Sequence, residues 1–165
     1  MGKLRDLLKA DAERYRSEKA KREQALKEWL DLLNGLFAQI EEWLKASDPD
    51  GLLEVTADTL TITDPVLGEY TAPVRRVTLG KTSVETVPRA RYVIASIQPP
   101  GKEPVRAHGL VEIRSRGWPS HNLYQLPGGQ WYIYDLSRNL RAAEANPVEP
   151  LDADNFEAAI ASQLR

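Results

Sequence analysis

The sequence predicts an α+β fold, in which a long N-terminal helix packs on a curved, mainly antiparallel β-sheet of about six to eight strands and a short C-terminal helix follows. Three observations support it. The first forty-six residues hold an apolar repeat of seven residues. Residues 52–136 alternate apolar and polar side chains between clusters of turn formers, and residues 152–164 return to one helical stripe. The chain 1–165 reads as a single domain: a charged helical segment free to project (1–25), a core helix (26–46), an antiparallel sheet (52–136) and a closing helix (152–164).

In the repeat, Ala12, Lys19, Leu26, Leu33 and Ile40 fall in one column, and Leu8, Tyr15, Arg22, Trp29, Leu36 and Trp43 in the other. Together the columns make one helical stripe. From residue 26 onward Leu30, Phe37 and Leu44 widen it, and a face that broad suits burial on a sheet better than a narrow seam between two helices. Before Leu26 the columns contain Lys19 and Arg22, with no large aliphatic after Leu8. That half rests on intrinsic propensity and on pairs such as Glu18 with Arg22, which contribute about 0.2–0.5 kcal/mol each.

Ser47-Asp48-Pro49-Asp50-Gly51 stops the helix. Leu53 and Val55, then Leu60 and Ile62, alternate with polar neighbours, and Val74, Val77 and Leu79 precede Gly80-Lys81 and a run through Val84 and Val87. These predict short strands with tight connections. Arg91 to Ile97 is expected as a strand ended by Gln98-Pro99-Pro100-Gly101, and Leu110 to Arg116 as a half-buried one. Pro127-Gly128-Gly129 joins Leu123–Leu126 to Trp131–Leu136 in a hairpin, along which Trp131 and Ile133 face one side and Tyr132 and Tyr134 the other. Asn146-Pro147 and Glu149-Pro150 form an extended connector to a helix capped by Asp154 with Glu157, whose stripe is Phe156, Ile160 and Leu164.

The chain has no cysteine, which removes disulfides, thiolate metal sites and cysteine nucleophiles, and fits a reducing compartment. Neither a signal-like apolar run nor an apolar stretch of about eighteen residues occurs, so no membrane association and a cytoplasmic location are expected. Asp6 stands where a myristoylation motif places Ser or Thr, so no lipid anchor is expected. The net charge of -2 is unevenly spread: residues 51–72 hold no basic and four acidic residues, whereas 73–117 hold nine and three. Only the latter excess suggests an anionic partner.

No metalloprotease, phosphate-loop, dinucleotide or nucleophile-elbow motif is present, and no catalytic residue, metal ligand or cofactor is assigned. His108 and His121 could join Glu112 at a metal, but ordinary surface or turn histidines are the simpler expectation. Asp58, Asp64 and Glu112 could serve a metal-dependent nuclease, though charges alternating on a wet strand face give the same string. Arg75, Arg76, Arg89, Arg91, Arg106, Arg114 and Arg116 offer bidentate donors for phosphate. If the strands at 91 and 114 are neighbours, those guanidinium groups share a face with Tyr92, Trp118 and Tyr124 available to stack bases. The bland counterpart is a solvated face whose arginines pair with acidic residues of the same chain.

Leu4, Leu7 and Leu8 form an apolar cluster, and Leu4, Leu8, Ala12 and Tyr15 continue a seam that nothing else in the chain covers. Such a face is normally filled by a second helix, from another copy or from a different protein. The expected function is therefore a non-enzymatic interaction or accessory protein whose N-terminal helix makes the contact, with nucleic-acid or polyanion binding as the alternative and a metal-dependent nuclease third.

Overall fold

The computed structural model describes residues 2–137 and 148–165. Helix α1 (Gly2–Ser47) is continuous. Its buried side chains are Trp29, Leu33, Leu36, Phe37, Ile40 and Leu44, all within the widened half of the repeat. Fully burying one such side chain stabilises by about 1.5–3 kcal/mol, so this half is fixed to the sheet. Residues 2–24 are exposed throughout and form an arm. Its ion pairs are Asp11 with Arg14 at 3.0 Å and Lys19 with Glu23 at 3.9 Å, rather than the expected Glu18 with Arg22. After α1, the Asp48 carboxylate accepts the amides of Leu52 and Leu53, both at 2.8 Å, and so turns the chain into the sheet.

Strands β1 (Glu54–Asp64), β2 (Gly68–Leu79), β3 (Thr82–Ala90), β4 (Ser96–Ile97), β5 (Val105–Arg106), β6 (Gly109–Ser115), β7 (Trp118–Gln125), β8 (Trp131–Asp135) and β9 (Val148–Pro150) precede α2 (Ala153–Leu164). Seven of them form one antiparallel sheet in the order β1-β2-β3-β6-β7-β8-β9, and β4 with β5 makes a separate ladder. The sheet is open, with β1 at one edge and β9 at the other. The α+β architecture expected from the sequence is the one observed.

Four local expectations are corrected. β1 and β2 run for 11 and 12 residues instead of being short, since they pair without interruption from Glu54 opposite Thr78 to Asp64 opposite Gly68, and the Asp64 carboxylate accepts the amides of Val66 and Leu67 to close the turn between them. Arg91 to Ile97 is no continuous strand: the ladder between β3 and β6 shifts between Pro88 and Ala90, and Arg91 turns inward. Val148–Pro150 pairs with β8 as the edge strand; the Asn146-Pro147 part of the expected connector lies outside the described residues. Helix α2 is capped by Asp152, not Asp154, since the Asp152 carboxylate accepts the Asn155 amide at 2.8 Å.

Val77, Val84, Ile113, Leu123 and Ile133 lie under α1 on one face of the sheet. Phe156, Ala159 and Ile160 of α2 complete that core, with the Phe156 and Trp43 rings 5.7 Å apart and Ser47 hydrogen-bonded to Glu157. On the opposite face Tyr132 packs with Ile97, Ala107, Leu126 and Val148. Both faces of β8 are thus covered: Trp131 and Ile133 reach the helical core, and Tyr132 and Tyr134 the second cluster.

Candidate functional site

Trp29 fixes the point where α1 leaves the sheet. Its ring is fully buried, and its Nε1 donates to the Tyr70 hydroxyl at 3.0 Å. Burial raises the Tyr70 pKa, partly offset by the Trp29 hydrogen bond, with Asp64 adding to the rise. Against the other side of the ring lies Gly109, where an added Cβ would fall 2.6 Å from a Trp29 ring carbon. The Arg91 guanidinium stands 5.5 Å from the Trp29 ring centre and 5.1 Å from that of Tyr92. Its Nη1 donates to the His108 carbonyl at 3.1 Å and to Gln125 Oε1 at 2.7 Å. N-terminal to this anchor Ala25 and Leu26 still pack, half-buried, against the core, and residues 2–24 beyond them are exposed.

On the arm, Leu4 is 67%, Leu8 60% and Tyr15 64% exposed, with Leu7 and Ala12 also outside the core. Asp11 and Arg14 interrupt this surface, so it is an apolar line on a charged helix. Beside the docked half of α1 an open groove of about 710 Å³ runs between Leu32, Gly35, Leu36 and Trp43 on one wall and Trp131 and Leu151 on the other. Glu28 and Asp31 line its end towards the arm, and Arg91 also contributes to it. Gly35 is exposed, lies inside a helix, and has nothing within 4 Å of where a Cβ would stand. The sequence reading missed this groove, although a glycine inside a long helical repeat was a visible signal.

The seven arginines do not all share one face, although Arg76, Arg89 and Arg114 line one hollow on the outer face together with Glu85. The register places Arg114 opposite Glu85 on the outer face, and residue 91 lies beyond the end of β3, so the strands expected at 91 and 114 are not neighbours. Arg76 meets Glu85 at 3.0 Å, while Arg89 and Arg114 both meet Glu112, at 3.1 and 2.8 Å. Arg75 lies on the helical side, 2.6 Å from Glu41 and over the Phe37 ring. Arg106 is on β5 and Arg116 in the turn after β6. Of the three aromatics, Tyr92 stacks on Arg91, Tyr124 meets Tyr134 edge-on, and Trp118 is exposed.

The carboxylates proposed for a nuclease stand apart. Asp64 closes the β1–β2 turn, Asp58 accepts the Thr59 amide, and Glu112 holds two arginines. His121 is no surface histidine: it sits on β7 opposite Ile113, buried beneath α2. Ser120 Oγ lies 2.9 Å from its Nδ1, and Asp135 lies 3.8 Å from its Nε2. Desolvation lowers the His121 pKa and outweighs the opposing pull of Asp135. His108 precedes the far end of the same ladder, where Gly109 faces Gln125. Among the described residues no group of three or more His, Asp or Glu side chains is placed to hold a metal ion, and no helix is long and apolar enough to cross a membrane.

Comparison with models of protein families, with curated proteins and with solved structures finds no match for this chain.

Proposed function

We propose that this is a non-enzymatic interaction protein in which the sheet, α2 and the docked half of α1 form a scaffold, and the arm holds a protein partner by helix-to-helix packing. The reading rests on one observation: residues 2–24 are helical and exposed along their whole length, with Leu4, Leu7, Leu8 and Tyr15 each more than half accessible. A helix of about this length, with charges in its seam and exposed along its whole length, gains little stability from the rest of the described chain, and a second helix supplies what it lacks.

The alternative, polyanion binding through the arginines, has weaker support. Arg75, Arg76, Arg89 and Arg114 already face carboxylates, and Arg91 points inward.

Deleting residues 1–22 tests the reading. The truncated chain should unfold within about two degrees of the parent measured at a concentration where the parent is monomeric. It should also lose partner binding or change its oligomeric state in sedimentation over a concentration series. A truncated chain that no longer folds would place the segment in the core and remove the reading.

A further inference from the structure

The arm is long enough to span the groove beside Gly35 and opposite to it in charge, which points to a specific occupant. The sixteen residues from Glu28 to Trp43 cover about 24 Å of helix, and the arm extends over about 34 Å. Residues 2–24 hold eight basic and five acidic residues, whereas 25–47 hold two and four. The arm is therefore positive, and the half of α1 beside the groove is negative. Gly35 adds an independent sign. A glycine inside a helix costs about 1 kcal/mol relative to alanine, and among the described residues no atom needs the missing Cβ, because none lies within 4 Å of it. Close approach by an outside backbone is what such a position admits.

We propose that two copies of the chain pair about a twofold axis with their α1 helices antiparallel, each arm lying in the other's groove; this rests on the reading of the arm as a partner-binding helix and names the partner. The helical geometry allows both contacts at once. Leu8 and Tyr15 share a column with Trp29, Leu36 and Trp43, so they point to the side of α1 that its own sheet covers. A twofold axis between antiparallel helices leaves both sheets on the same side of the pair. The arm's apolar line then rests against Trp131 and Leu151 of the other copy. The flank of α1 bearing Leu7, Arg14, Lys21, Glu28 and Gly35, spaced by sevens, turns to the partner helix. Antiparallel pairing along that flank sets Arg14 and Lys21 of one copy beside Glu28 and Asp31 of the other, twice over by symmetry.

A charge exchange tests this with the full-length chain. Arg14→Glu with Lys21→Glu reverses the arm, and Glu28→Lys with Asp31→Lys reverses the groove. In sedimentation equilibrium the parent should dimerise, each double variant alone should dissociate roughly tenfold or more readily, and an equimolar mixture should recover a heterodimer near parental affinity. As a variant that leaves charge untouched, Gly35→Leu adds bulk to the exposed helix face beside the groove and improves helix propensity, and its Cβ meets no described atom of its own chain within 4 Å. It should remain folded by circular dichroism and lose the dimer. Three outcomes overturn the proposal: a monomeric parent at every concentration, a dimer indifferent to both charge reversals and to Gly35→Leu, or a mixture that does not recover. The first leaves the arm free for a different protein and is distinguished from failure of the broader reading by the deletion of residues 1–22, which reports on the arm itself.

Discussion

Single residues decide how tightly the scaffold is set. Gly109→Ala forces the buried Trp29 ring to move, because the added carbon would lie 2.6 and 2.9 Å from two ring atoms. Overpacking of this kind costs about 1–3 kcal/mol, read as a lower urea midpoint with an unchanged slope. An unshifted midpoint would mean that the ring has room the geometry denies. His121 gives the fold a pH dependence of definite sign. Its folded pKa lies below the unfolded value, so the unfolded chain binds the extra proton first. The stabilising contribution is complete above about pH 6.5 and is lost as pH falls below it towards the folded pKa, with a slope of at most about 1.4 kcal/mol per pH unit. Urea unfolding between pH 8 and 5 should show this loss in the parent, and His121→Gln should flatten it. Equal slopes in the two proteins would assign the effect to other groups. Neither residue was legible in the sequence: Gly109 looks like an ordinary strand start, and His121 like a polar position on a strand, until the register puts one under Trp29 and the other under α2.

Elements were more legible than the contacts between them. The widened apolar stripe from Leu26 to Leu44 located the docked half of α1, because helical spacing and side-chain size report burial directly. The Pro127-Gly128-Gly129 hairpin was equally plain, since its turn chemistry is local. Arg91 to Ile97 misled because β-propensity describes how a residue suits a sheet and says nothing of a bulge upstream. Once the β3–β6 ladder shifts at Pro88, the Arg91 side chain finds two neutral acceptors and two rings on the helical side. The cap of α2 misled for a related reason. Asp152 and Asp154 both suit a helix start, and only the backbone geometry at Asp152, extended at φ −136°, selects between them. The arm was visible as charge within the repeat, whereas the groove was not, because Trp131 and Leu151 reach it from distant parts of the chain.

At the scale of the whole molecule, the proposed pairing of two copies through the undocked half of α1 would make stability depend on concentration. If copies associate through the folded state alone, mass action adds stability to the folded side, about 2.7 kcal/mol when the partner is present at a hundred times its dissociation constant. For a chain of this length each kcal/mol corresponds to roughly 2–4 °C in Tm. The full-length protein should therefore melt several degrees higher across a hundredfold rise in concentration spanning the dissociation constant, while the chain lacking residues 1–22 should melt at one temperature throughout. Added salt should shrink the difference, since exposed Arg14 and Lys21 opposite Glu28 and Asp31 attract through a screened medium, whereas an association driven by Leu4, Leu8 and Tyr15 alone would not weaken in this way. Differential scanning calorimetry at two salt concentrations separates these terms. A full-length chain whose Tm ignores concentration would return the arm to the status of an unpaired helix, because burial of its apolar line in a second copy must register as stability of the assembled state.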